Sequence, residues 1–258
     1  MNQSDIGLVG LAASGVLVVA TVAVSAWQRL GLERSVLWAA GRAAVQLLLV
    51  GAALQLILAP DASLLWSWMW VVVMIGFAAW TTRRRAPEVP GGLWLSSVAY
   101  AAATAVALGV LFGLGVFPLT AQTLVPLAGM IVGNSLTATV LVGRRVIAEL
   151  RDKRDEVEAR LALAQPAPVA ARPYLRASIR DALVPQIEAT KAVGVVFLPG
   201  AMVGLLLAGV DPLDAVKVQA AVMYLVIGSV AITTTVVAIG LTRQLFTNDH
   251  RLLRLPRS

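Results

Sequence analysis

Residues 89–143, VPGGLWLSSVAYAAATAVALGVLFGLGVFPLTAQTLVPLAGMIVGNSLTATVLVG, run for 55 positions without one Asp, Glu, Lys or Arg. A soluble domain needs charge far more often to solvate its surface, so the solvent of this stretch is lipid. About 20 residues of helix cross about 30 Å of hydrocarbon, and the run is long enough for two passes. Its middle, Gly113-Leu-Gly-Val-Phe-Pro118-Leu-Thr120, has the Gly and Pro spacing of a turn between them. Unpaired backbone groups are costly in lipid and the two-residue alternation of barrel strands is absent, so the passes are expected as helices.

Similar runs lie on both sides. Residues 6–28, 62–82, 192–210 and 218–242 carry no charge, and 35–60 carries only Arg42. The chain therefore reads as an all-α polytopic membrane protein of about seven transmembrane helices, a single transmembrane domain over residues 1–258. Composition agrees: 59% of residues are hydrophobic and 14% charged. There is no Cys, and the one His is His250 in the tail. Disulfide frameworks, zinc clusters, thiolate catalysis and a His-based triad are excluded, and no constellation for an enzyme remains. The net charge of +7 gives no reason to expect nucleic acid, because its placement follows the membrane.

Basic residues gather in alternate connections: Arg29 and Arg34, then Arg83 to Arg85, ten Lys or Arg in 144–191, and Arg243, Arg251, Arg254 and Arg257 in the tail. The intervening connections are poor in them; 211–217 sets Lys217 against Asp211 and Asp214. Seven passes put every basic segment on one side, which predicts the N-terminus outside and the C-terminus in the cytoplasm. The absence of a basic region before the first run suits an uncleaved anchor rather than a signal peptide.

The substantial piece outside the membrane is expected at 144–191. Arg144 to Gln165 reads as a charged helix continuing the fifth pass, with opposite charges four apart at Glu149/Lys153, Arg154/Glu158 and Glu156/Arg160. Gln165 to Pro173 reads as a break. Tyr174 to Lys191 reads as a second helix with Leu175, Ile179, Leu183 and Ile187 in one stripe. That stripe is either one side of a solvated connector or a docking face for a cytosolic partner, and its apolarity favours docking. No Gly-Lys-Ser or Gly-Lys-Thr occurs, so a phosphate-binding loop is absent and any ATP-driven motor is a separate polypeptide.

Candidate pathway residues are the polar and kinking positions inside the apolar runs. Arg42, with Gln46 four residues on, either binds an anionic or chelated solute or snorkels to the cytosolic interface. Met130, Asn134 and Thr137 share a stripe on the fifth pass, with Ser135 and Thr139 beside it. They serve either a pathway or helix–helix hydrogen bonding. Pro199-Gly200 is expected to kink or interrupt the sixth helix, next to Met202. Thr233 to Thr235 are expected to bond back to their own helix. The spacings Gly109/Gly113, Gly129/Gly133 and Gly200/Gly204 suggest close helix packing. No carboxylate lies in any of these runs. Hard divalent cations want carboxylate oxygens, so a metal crossing here is expected as a chelate or through weak Met, amide and carbonyl contacts; no metal site is assigned.

Four segments in order also carry a likeness. Gly129-Met-Ile-Val-Gly-Asn-Ser-Leu136 resembles the Gly-Met-Ile-Ile-Gly-Asn-Ser-Met signature of the FetB-type permease family. Arg42-Ala-Ala-Val-Gln-Leu47, Val193-Gly-Val-Val-Phe-Leu-Pro-Gly200 and Asp211-Pro-Leu-Asp-Ala-Val…Gln219 are further matches. The resemblance implies an ABC permease of iron export or metal resistance, related to plant aluminium-tolerance permeases. It implies a permease homodimer in the bacterial inner (plasma) membrane, with ATP bound by a cytosolic ATPase subunit and no cofactor in this chain. Glu158 to Gln165 resembles the Glu-Ala-Ala…Gly loop by which ABC permeases contact their ATPase, which makes Glu158, Leu161, Leu175, Ile179 and Leu183 the coupling candidates. The loop's Gly is replaced near Ala164 and Gln165, and Leu136 stands where the signature ends in Met. Alternatives are a permease for a nucleotide-sugar or other anionic solute, and a non-transporting membrane scaffold. A secondary transporter would carry intramembrane Asp, Glu or His, which these runs lack.

Overall fold

The computed structural model describes residues 8–59, 62–194, 197–247, 249 and 251–253. His250, Arg254 and Arg257 lie outside them, as do Asp61 and the start of the first run. The described residues form α1 (Leu8–Trp27), α2 (Glu33–Ile57), α3 (Leu64–Arg85), α4 (Gly92–Gly113), α5 (Ala121–Asp152), α6 (Arg154–Ala162), α7 (Ala167–Ala192), α8 (Gly200–Leu207) and α9 (Pro212–Leu245). Helices α2, α3, α4, α5 and α9 are each long and apolar enough to cross a bilayer. The 20 residues of α1 are almost wholly apolar and give ~30 Å of helix. The all-helical, multi-pass membrane architecture expected from the charge-free runs is the one found.

The chain divides into a smaller unit of Met1–Ser63 with Leu207–Gly209, and a larger one of Leu64–Leu206 with Val210–Ser258. In the smaller unit α1 packs on α2. Buried Ser25 closes their turn by donating to Glu33 Oε1 at 2.8 Å and accepting the Leu32 N–H at 3.2 Å. No side chain of α2 is buried, and Leu47, Leu48 and Leu56 stand out from it; such a surface has lipid for its solvent.

In the larger unit α5 and α9 form the centre, with α3, α4 and α7 against them. Thr120 and Thr123 cap α5 reciprocally, and Asp211 caps α9 by accepting the Leu213 N–H at 2.9 Å. Pro212 occupies the first turn of α9, where no N–H is needed. Arg83, Arg84 and Arg85 close α3 at its negative dipole end, and Arg84 lies over the Trp80 ring at 4.0 Å. One apolar cluster, around Leu150, Val157, Leu175 and Leu241, joins the end of α5 to α6, α7 and α9. A second, around Leu124, Ile131, Leu225 and Val230, fills the other half.

Three expectations need correction. First, residues 192–210 do not form one continuous pass. Helix α7 ends at Ala192, Gly194 takes φ +87° with its N–H on the Phe197 carbonyl at 2.9 Å, and α8 begins after Pro199. The eight residues of α8 reach only ~12 Å. Second, 144–191 does not stand apart from the transmembrane helices. Arg145 on α5 meets Asp181 on α7 at 2.7 Å, and Gln186 and Thr190 lie across a cavity from Asn134 and Met130. The two helices run antiparallel, so the later half of α7 lies beside the middle of α5. Helix α7 also starts earlier than expected, carrying Pro168 in its first turn and Pro173 and Pro185 inside.

Third, the suggested glycine spacings do not mark close approach within the chain. A Cβ on Gly109, Gly113, Gly133, Gly200 or Gly204 would meet nothing within 4 Å, and one on Gly129 only Met74 Sδ at 3.8 Å. Close approaches occur instead at Gly240, where a Cβ would overlap Leu95 Cδ1, at Gly91, 2.8 Å from Gln244 Oε1, and at Gly143, 2.9 Å from Val89 Cγ2.

Candidate functional site

A cavity of about 260 Å³ opens where the middle of α5, the end of α7, the break before α8 and the first half of α9 meet. Three side-chain amides line it: Asn134 from α5, Gln186 from α7 and Gln219 from α9. Met130 and Met223 add thioethers and Phe197 an aromatic ring. Each element has a reason for being there. Asn134 follows Met130 by one helical turn and donates from Nδ2 to its carbonyl at 2.8 Å. Gln219, Val222, Met223 and Val226 follow the 3–4 residue spacing of one face of α9. Pro199 lines the cavity and cannot donate to the turn before it, and Gly200 and Ala201 beside it begin α8.

Gln219 is 6% exposed, and its Oε1 has no hydrogen-bond partner among the described residues. An unsatisfied buried oxygen costs about 1–3 kcal/mol. No lining residue is charged, and no group of three or more His, Cys, Asp or Glu able to hold a metal occurs among the described residues. The cavity therefore offers neutral donors and acceptors on an apolar wall.

Of the pathway candidates, Met130, Asn134 and Pro199 come together here. Thr137 joins Asn134 and Gln186 on an adjoining recess of about 140 Å³. Ser135 and Thr139 are buried between helices, Thr139 beside the Tyr100 phenol and Ser135 with a hydroxyl that finds no partner among the described residues. Met202 is half-buried on α8 and does not line the cavity. Arg42 and Gln46 are exposed on α2, in the smaller unit. Thr233 and Thr234 bond to carbonyls one turn back on α9, as expected. Sequence reasoning missed Gln186, Thr190, Gln219 and Met223. Gln219 and Met223 stand inside a charge-free run and were open to the argument that singled out Asn134.

The coupling candidates sit at the far end of α5 and α7. Helix α5 is interrupted at Lys153, where i to i−4 bonds still join it to α6, and after α6 the chain reverses into α7. Arg154 reaches Glu158 at 2.6 Å, while Lys153 pairs with Glu156 at 3.0 Å and Glu149 with Arg145 at 3.5 Å. Tyr174 of α7 donates to Glu156 at 3.0 Å. The stripe read as a docking face turns inward: Leu175 is buried, and Ile179 and Leu183 pack against the two apolar clusters. Leu161 is half-buried against the first cluster, and Ile187 is exposed. Glu158 is exposed, and Leu163 at the elbow between α6 and α7 is 76% exposed. Ala164 has φ +60°. Its N–H bonds Leu161 O at 2.9 Å and that of Gln165 bonds Arg160 O at 3.2 Å, the paired bonds of a left-handed helix end. Residues 251–253 fold back onto the start of α6, the Leu252 and Leu253 carbonyls each held by Arg154 at 3.1 Å.

Fold and site together define a multi-pass helical membrane protein with an uncharged polar cavity among its helices. The chain belongs to the family described as Uncharacterised protein family (UPF0014), whose model matches residues 8–246. It is 33% identical to the Escherichia coli "Probable iron export permease protein FetB", over 98% of this chain and 97% of that protein. It is 37% identical to the rice "UPF0014 membrane protein STAR2", over 89% of this chain and 80% of the relative. With the Arabidopsis "Protein ALUMINUM SENSITIVE 3" identity is 31%, over 88% and 83%. No solved structure matches the chain.

Proposed function

We propose that this chain is the membrane-spanning permease subunit of an ABC-type transporter that exports iron or another metal. It works as a homodimer in the bacterial inner (plasma) membrane, N-terminus outside, and uses ATP hydrolysed by a separate cytosolic subunit. The observation that carries the reading is the cavity of Asn134, Gln186 and Gln219 at a helix break, among transmembrane helices. Broken helices in transporters free backbone groups beside the solute. The name of the Escherichia coli relative supports metal export. A nucleotide-sugar or other anion is less well served, since the cavity has no Lys or Arg. A scaffold protein has no use for an unsatisfied buried amide in a cavity.

The elbow supports the motor's place. Leu163 and Glu158 are exposed at the tip of α6, and α6 is tied to α7 through Tyr174 and to α9 through the tail. A push at the elbow is transmitted along α7 to the cavity wall. The test is Leu163→Asp in cells that overexpress the chain with its cognate ATPase. Expected are normal insertion, loss of the co-purifying ATPase and a rise in cell metal content to the level of cells lacking the transporter. Unchanged co-purification and export would overturn the elbow assignment. Metal content unaffected by deleting the chain would overturn metal export itself.

A further inference from the structure

We propose, building on the metal-export reading, that the cavity admits metal only as an electrically neutral complex, and that Gln219 is the residue that reads it. A bare divalent or trivalent cation leaving water needs anionic oxygen ligands. The cavity supplies none, and a full charge in an apolar enclosure without a counter-charge is strongly disfavoured. Its size points the same way. About 260 Å³ is the liquid volume of roughly nine waters, far more than a stripped ion fills and suited to a small metal complex with its own ligand shell.

The donors fit such a shell. Asn134, Gln186 and Gln219 each present an amide, able to donate and accept. Met130, Met223 and Phe197 give soft apolar walls against the carbon edges of organic ligands. Gln219 is distinguished because its Oε1 is buried and unpartnered. That oxygen has no surface open to the cavity as it stands, so a turn of the Gln219 amide is what lets a ligand shell carrying N–H or O–H groups satisfy it, and a shell without them leaves it unsatisfied. Binding gains from a cost the empty protein already bears. Ferric tris-acetohydroxamate is a suitable probe: three monoanionic ligands cancel the charge of the iron, and each carries an N–H.

The experiment measures equilibrium binding of radioactive iron to the full chain in lipid nanodiscs. The iron is presented as ferric tris-acetohydroxamate, as hydrated ferrous ion, and as anionic ferric citrate. The neutral complex should bind at least tenfold more tightly than either charged form. Gln219→Leu, which keeps the bulk without the oxygen, should weaken the neutral complex about tenfold or more while raising the thermal midpoint, because a buried unsatisfied group is gone. Gln219→Glu, checked for a monodisperse protein, should shift preference toward the hydrated cation by tenfold or more. Equal binding of the ferrous ion by the parent chain, or unchanged binding by Gln219→Leu, overturns the proposal. Transport in proteoliposomes with the ATPase separates the two readings. Neutral complex bound but never moved on ATP refutes the export function alone. Ferrous ion pumped without binding of the neutral complex refutes this inference alone.

Discussion

The Tyr174 phenol on α7 donates to the Glu156 carboxylate on α6 at 3.0 Å, bridging the two arms of the elbow. Lys153 donates to the same carboxyl group from the other side, at 3.0 Å. The Lys153 bond and then the Tyr174 bond hold Glu156 below its ordinary 4.5. Burial first, and Glu156 second, push Tyr174 above its ordinary 10.0. A depressed carboxyl stabilises the fold above 4.5 and loses that contribution as pH falls through its lowered value. A raised phenol contributes below 10 and is lost as pH climbs past it.

Amide protection in α6, with exchange corrected for its intrinsic pH dependence, should therefore be greatest across the interval between those limits and fall on both sides. Tyr174→Phe should remove most of the alkaline response. It should leave most of the acid response, because Lys153 is the larger influence on Glu156. A Tyr174→Phe protein whose α6 exchange keeps the parent's alkaline limb would show that the phenol does not govern it.

Ala164 occupies a position whose backbone favours glycine. With φ at +60°, a Cβ in the left-handed region costs about 1 kcal/mol. Ala164→Gly should stabilise the detergent-solubilised protein by a few tenths to about 1 kcal/mol, since Gly also loses more freedom on folding. Ala164→Val should destabilise it by more than the glycine gains. Thermal unfolding followed by circular dichroism ranks the three, and a parent more stable than Ala164→Gly would remove the strain argument.

Glu188 and Lys191 form an exposed pair at 2.8 Å on α7, beside the positions that face Met130 and Asn134. Beside helices that cross lipid, an ion pair is tolerated facing water or protein rather than lipid. The chain has no Cys, so single cysteines can be introduced without removing any. Cysteine at Glu188 should react readily with a membrane-impermeant maleimide in open membranes, while cysteine at exposed Val72 on α3 should not. Equal protection of both positions would place Glu188 in a dry interface or in lipid.

Why the sequence disclosed some of this and not the rest follows from what lipid demands. An apolar run with no charge has one stable environment, so α1 to α5 and α9 were legible from the absence of charge alone. The packing of α7 against α5 and α9 was not, because Arg180, Asp181, Glu188 and Lys191 on one face of α7 make it read as a surface helix. Its buried face, Leu175, Ile179 and Leu183, was visible as a stripe, but a stripe does not say whether its partner is another protein or α5 and α9. The cavity was half legible for a related reason. Asn134 and Pro199 are conspicuous in apolar surroundings, whereas Gln186 lay in a segment taken for a connector, and only the fold brings Gln219 to it. Glycine spacing misled because it records where approach is possible. Whether a neighbouring helix takes up the space is decided by the rest of the fold.

Gly240 and Gly133 allow that last distinction to be measured. Both stand inside long helices, so replacing either with Ala improves intrinsic helix propensity by up to about 1 kcal/mol. At Gly133 the new methyl meets nothing within 4 Å, and the propensity gain should survive, leaving Gly133→Ala as stable as the parent or more so. At Gly240 the methyl would overlap Leu95, whose side chain is buried between α4 and α9. Leu95 belongs to the cluster around Val142 and Leu241, so a shift of its side chain disturbs that packing. Overpacking of this kind costs about 1–3 kcal/mol, which outweighs the propensity term, so Gly240→Ala should be clearly destabilised. The double variant Gly240→Ala with Leu95→Ala tests the cause, since removing the obstructing side chain should recover part of the loss despite deleting a core residue. If Leu95→Ala only adds its own penalty to that of Gly240→Ala, the two residues are not in contact, and the α4–α9 seam does not have the geometry described above.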